Sequence, residues 1–163
     1  MTAPFRARRI TRTARIQLIA PPSSVFPLFE PLGEKRWAEG WEPEMIYPPS
    51  GVTQKGAVFT TNHSEQLPAI WTVTEFDRHA LRIEYLRVVA GSHLAAIAVG
   101  CVDGHNETTK ADVTYTFTAL TELGNRYVDT FTDIYFSEWI GSWETAINYY
   151  LRHGSMLPHH AAA

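Results

Sequence analysis

A single cysteine in 163 residues leaves no partner for an intramolecular disulfide, so this chain must be held together by its core. Flanked by Gly100 and Val102 in an apolar run, Cys101 reads as a small buried hydrophobe rather than a nucleophile. No apolar run approaches the roughly 18 residues of a membrane span, and the N-terminal segment lacks the apolar block of a secretory signal. Excess positive charge is missing too: the formal net charge is −3, which argues against nucleic acid as the main partner. The seven histidines show neither an H-x-x-x-H pattern nor a His/carboxylate spacing, so neither a metal nor a cofactor is expected. There is no serine-centred elbow, glycine-rich phosphate loop, internal repeat, low-complexity tract or βαβ alternation. These absences leave a cytoplasmic, soluble, single-domain protein, with a monomer and a homodimer both open.

What is present is apolar and aromatic: 45% hydrophobic residues and 12% aromatics can bury a substantial core. One domain is expected over residues 9–154, with 1–8 and 155–163 as flexible tails. A first strand holds Ile16–Ala20, and Arg6, Arg8, Arg9, Arg12 and Arg15 decorate its exposed side and the tail before it. Pro21-Pro22-Ser23-Ser24 starts a short helix that Pro31 ends, and a second short helical turn fits Gly33–Trp37. Strands then fit Glu42–Tyr47, Gly56–Thr61, Trp71–Phe76, Leu81–Val88, Leu94–Val102 and Ala111–Ala119, separated by hairpin-type turns. In the last of these Val113, Tyr115, Phe117 and Ala119 alternate with Asp112, Thr114, Thr116 and Thr118, the period of a half-buried antiparallel strand.

Gly124-Asn125 reads as a break, and from about Arg126 to Arg152 no proline interrupts a helical pattern. Advancing 100° per residue places Val128, Phe131, Tyr135, Trp139, Trp143, Ala146 and Tyr150 on one broad side. Asp133, Ser137, Glu144, Asn148 and Arg152 take the other. A helix of about 40 Å needs an equally long partner, and a curved sheet is the natural one. Gly141 inside it serves a bend or a close approach, or is simply tolerated at roughly 1 kcal/mol against alanine.

The order of strand, two short helices, six antiparallel strands and long helix resembles the helix-grip fold of the START-like (SRPBCC) superfamily. The resemblance runs from about Arg9 to Gly154. It is carried by the Ile16–Ala20 strand with Pro22-Ser23-Ser24-Val25-Phe26, by Pro31…Gly33-Glu34…Trp37…Gly40-Trp41-Glu42-Pro43-Glu44, by Gly56–Thr61, and by the passage from Thr114–Thr121 into the long helix. The tryptophan-rich segment is closer to certain bacterial members, some polyketide cyclase/dehydrase-like and some uncharacterised. The resemblance implies an α+β fold in which a bent antiparallel sheet of about seven strands wraps around the C-terminal helix and encloses an apolar cavity. It also implies a small hydrophobic or aromatic molecule as the partner.

In a bent sheet the concave face lines that cavity. On Leu81–Val88 one face carries Leu81, Ile83, Tyr85 and Arg87. If it points inward, Arg87 enters an apolar space and needs an anionic or carbonyl partner. The ordinary alternative is that Arg87 reaches solvent at the strand end or pairs with Glu84 or Asp103. Phe59 and Thr61 share the inward side of their strand, with Asn62 and His63 near the mouth. Trp37, Trp41, Trp71, Tyr85, Tyr115, Tyr135 and Trp139 are too many amphipathic aromatics for a fully filled interior, because buried N–H and O–H groups require partners. The candidate ligand-binding set is therefore Trp37, Trp41, Phe59, Thr61, Trp71, Tyr85, Arg87, Tyr115, Tyr135 and Trp139.

Three functions follow. The first is binding of a hydrophobic or aromatic ligand between helix and sheet. The second is a polyketide cyclase/dehydratase-like reaction, with Asp133, Glu138 or His93 as base and Tyr85, Tyr115 or Arg87 as donor to an enolate. It requires Arg87, Tyr85 and a carboxylate or His93 to converge, although Asp133 and Glu138 fall on the polar side and His93 begins a strand after a turn. The third is a protein-interaction module of the same fold, which requires a filled interior and an exposed apolar patch.

Overall fold

The computed structural model describes residues 3–62 and 67–159, which leaves His63 and His160 outside the described residues. Strand β1 (Arg9–Leu18) leads into the short helix α1 (Pro22–Val25), which tightens into a 3-10 turn over Phe26–Phe29; a second 3-10 turn covers Glu34–Arg36. Six strands follow: β2 (Glu44–Tyr47), β3 (Val58–Thr61), β4 (Ala69–Asp77), β5 (Arg82–Val89), β6 (His93–Asp103) and β7 (Thr109–Ala119). They form one open antiparallel sheet in the order β1-β7-β6-β5-β4-β3-β2. Chain-order hairpins build all of it except the β1–β7 pair, which joins the first strand to the last.

Alternation determines which side chains reach the core. On β7 Thr109, Ala111, Val113, Tyr115, Phe117 and Ala119 are buried, while the residues between them are partly exposed. The partner strand β6 buries His93, Ala95, Ile97, Val99 and Cys101 in matching register.

The long helix is shorter than expected and broken. Helix α2 spans Glu122–Asp129 and helix α3 spans Asp133–His153, about 32 Å at 1.5 Å per residue. Each begins at its own threonine cap: the Thr121 side chain accepts from the Gly124 amide and the Thr132 side chain from the Tyr135 amide. Gly124 and Asn125 therefore lie inside α2 rather than breaking the chain. Glycine is required there because a Cβ would stand 1.8 Å from the Ser92 carbonyl oxygen, so α2 rests directly on the β5–β6 turn.

The break also resets the helical phase. Phe136, Ile140 and Ile147 form the buried stripe of α3, and Tyr135, one 100° step away, is half exposed. Glu144 and Asn148, expected on a solvated face, instead cover the free edge of β1. Glu144 accepts from the Gln17 amide, while Asn148 accepts from the Ile19 amide and donates to the Gln17 carbonyl.

The arginine arm is bound into the fold rather than loose. The Arg8 amide donates to Asn125, the Asn125 amide group donates to the Arg6 carbonyl, and the Ala119 amide donates to the Arg8 carbonyl. Arg8 pairs with Asp129 and Arg15 with Asp112, while Arg12 donates to the Phe131 carbonyl and pairs with Asp133. Arg12 thus belongs to the inward side of β1 and ties the strand to the α2–α3 break. No helix among the described residues is long and apolar enough to cross a membrane.

Candidate functional site

Between the concave face of the sheet, α3 and the segment 34–41 lies a cavity of about 590 Å³, well within the range of small-molecule sites. Aromatic rings build its walls. From the sheet come Phe59 and Trp71, stacked at 5.4 Å, with Tyr85 edge-on to both. Tyr115 continues this wall and meets Trp139 of α3 at 5.0 Å, and Trp139 meets Trp143 at 5.3 Å. The loop before β2 closes the circuit, with Trp37 against Trp143 and Trp41 edge-on to Trp71.

Several of these rings are locked by their polar atoms. The indole N–H groups of Trp37 and Trp41 donate to the carbonyls of Leu28 and Pro31, and that of Trp71 donates to the Thr61 hydroxyl. Tyr85 donates to the Phe29 carbonyl at 2.6 Å. These four rings are therefore held by the scaffold rather than by a ligand.

One pole of the cavity is basic. Strand alternation turns Arg87 inward beside Tyr85, and its guanidinium carbon stands 5.4 Å from the Trp71 ring and 5.9 Å from that of Tyr115. Its Nη2 lies 3.2 Å from His93 Nε2 and 3.4 Å from the Tyr127 hydroxyl. A guanidinium can only donate, so His93 Nε2 accepts. The proton then sits on Nδ1, which donates to the Ser92 hydroxyl at 2.8 Å. Tyr127 stacks flat on the imidazole at 3.9 Å. Burial, reinforced by the Arg87 cation, lowers the His93 pKa to about 4, so the imidazole is neutral at pH 7.

Acidic chemistry enters from the segment 34–41. Glu34 lines the cavity, its side chain without a hydrogen bond or ion pair among the described residues, and burial raises its carboxyl well above the ordinary range. The phenols of Tyr115 and Tyr85 are raised as well, chiefly by burial, with Glu34 adding to both and Arg87 opposing the rise at Tyr115. The Tyr115 hydroxyl has no hydrogen-bond partner among the described residues. Cys101 is buried outside this cavity, and burial, with Asp112 nearby, pushes its thiol up to about 12.

Of the ten residues singled out from the sequence, Trp37, Trp41, Phe59, Thr61, Trp71, Tyr85, Arg87, Tyr115 and Trp139 line the cavity. Tyr135 does not; the phase reset at the start of α3 turns it outward against Phe131. Arg87 is partly buried, its Nε fully so, and pairs with neither Glu84 nor Asp103 among the described residues. His93 is a cavity-wall residue, 3% exposed, rather than a turn residue. Asp133 and Glu138 are exposed and stand apart from the cavity. Sequence reasoning missed Glu34, Ser92, Tyr127 and Trp143 as lining residues. The one local signal for Trp143 was its place one turn after Trp139; the other three had none. Among the described residues no group of three or more His, Cys, Asp or Glu side chains can hold a metal ion.

The sequence matches no family model and no curated protein. Solved structures, by contrast, match over nearly the whole chain. Norcoclaurine synthase from Thalictrum flavum, in complex with dopamine and hydroxybenzaldehyde, superposes with a TM-score of 0.64 at 10% identity, covering 94% of this chain and 96% of that one. A hypothetical protein from Helicobacter pylori gives a TM-score of 0.65 at 11% identity, covering 85% and 87%. Ara h 8.0201 gives 0.57 at 13% identity, covering 88% and 97%. At such identities the likeness is one of fold, and the chain has the helix-grip fold.

Proposed function

We propose that this helix-grip protein binds a small hydrophobic or aromatic molecule in the cavity between α3 and the concave face of the sheet. The observation that carries this reading is the unfilled 590 Å³ space, walled by oriented rings and holding an Arg87 and a Glu34 that no side chain among the described residues neutralises. An interaction module with a packed interior would show neither. The norcoclaurine synthase of the same fold, seen with two small aromatic molecules, lends support at the level of fold.

A second reading as a cyclase or dehydratase draws on one observation, the meeting of Arg87, His93 and Tyr127. Arg87 and Tyr115 would hold a developing enolate oxygen. His93, with Nε2 engaged and its pKa lowered to about 4, is a weak base, which places this reading second. Tyr85, bonded to the Phe29 carbonyl, stands outside that group.

Native mass spectrometry of the purified protein, followed by tryptophan-fluorescence titration with fatty acids, flavonoids and aromatic polyketides, tests the binding reading. A co-purifying small molecule or saturable quenching is expected, and Trp139→Ala should weaken the response about tenfold or more by removing one wall of the cavity. An empty protein with no saturable response would refute it.

A further inference from the structure

Arg87 sets a condition on the occupant. A guanidinium is a permanent cation, and moving one into an apolar space is unfavourable unless a counter-charge is supplied. Five other arginines have carboxylate partners, in Arg8–Asp129, Arg12–Asp133, Arg15–Asp112, Arg78–Glu30 and Arg82–Glu84. Arg87 joins no ion pair among the described residues. Its neighbours are a neutral imidazole, a phenol and the faces of Trp71 and Tyr115. Nε is buried without a hydrogen-bond partner among the described residues. Of the guanidinium nitrogens, Nη2 alone is engaged by a described residue, and both of its bonds are long. The surrounding rings orient the guanidinium and attract its charge partially, without neutralising it.

Resting on the reading of the cavity as a ligand site, we infer that its occupant is a flat apolar anion, a ring system carrying one carboxylate or ionised enol, whose charged oxygens sit on Arg87. Aromatic walls select the ring system, and the unengaged Nη1 of the guanidinium supplies charge-assisted donors to the anionic oxygens. A single charge suits the site because, of the two carboxylates in the described wall, Glu39 already pairs with His159 while the Glu34 side chain has no partner among the described residues. Its carboxyl is held neutral more readily than in water, so it can donate a hydrogen bond to an uncharged oxygen of the same ligand.

Two fluorescent probes that share a ring system separate charge from shape. Anilinonaphthalene sulfonate carries one anionic group, and phenylnaphthylamine lacks it. The wild-type protein should bind the sulfonate at least about tenfold more tightly. Arg87→Met should bring the ratio of the two dissociation constants close to one, and Arg87→Lys should restore part of it. Arg82→Gln, which removes a charge from the convex face of the same strand, should keep the wild-type ratio. A competition on the unmodified protein covers the case in which Arg87→Met does not fold: naphthoate should displace phenylnaphthylamine at least about tenfold better than naphthamide. Equal binding of the paired molecules by the wild-type protein, or an Arg87→Met variant that keeps the preference, overturns the anion requirement while leaving the cavity reading intact. Saturable binding by neither probe overturns both.

Discussion

His93 shows how a single side chain acquires its chemistry from distant parts of the chain. Its ring is held by Ser92 on one side and by Arg87 on the other, and is covered by Tyr127 from α2, with Phe117 of β7 edge-on beyond it. The charged and titratable groups facing it are thus Arg87 and Tyr127. With its pKa at about 4 in the folded protein against 6.5 for the free side chain, the unfolded chain takes up the proton first on acidification. His93 therefore destabilises the native state progressively as pH falls from 6.5 to about 4. Glu34 acts in the opposite direction. Its raised carboxyl takes up a proton earlier in the folded state, so acidification relieves a penalty present at higher pH. Urea unfolding of wild type and His93→Gln across this range should show a stability difference that shifts against the wild type with falling pH. A pH-independent difference would mean that the imidazole is solvated.

At the scale of elements, Gly141 can be assigned a simpler role than a hinge. A Cβ built there meets no heavy atom within 4 Å, so the glycine serves no close approach to the sheet. Gly141→Ala should stabilise the protein by about 1 kcal/mol through helix propensity alone, raising Tm by about 2–4 °C. A lower melting temperature would show that space to be occupied. The strands were legible because alternation records local burial: Tyr85 and Arg87 share a face by spacing alone. The α2–α3 break was hidden because apolar positions continue in helical phase from Val128 through Phe131 to Tyr135, masking the paired cap signals Thr121-Glu122 and Thr132-Asp133. Glu34, Ser92 and Tyr127 were illegible for a different reason. Their approach to the cavity depends on where a 3-10 turn, a hairpin turn and a separate helix dock, and no local period encodes docking.

Over the whole molecule, the cavity and the stability of the fold depend on the same helix. α3 seals the free edge of β1 through Glu144 and Asn148 while holding Trp139 and Trp143 over the concave sheet. It thereby forms one wall of an unfilled space without giving up its own buried stripe. Ile140 and Ile147 are fully buried and together contribute about 3–6 kcal/mol. With the tryptophans added, this rivals the entire stability of about 5–15 kcal/mol expected for a domain of this size. A chain ending at Glu138 would also uncover the edge hydrogen bonds of β1 and open the core over Tyr115. It should therefore lose its cooperative thermal transition and its near-ultraviolet circular dichroism. Retention of a sharp melt by that shortened chain would mean that the sheet and its first helices carry a core of their own, and that α3 is only a cover over the cavity.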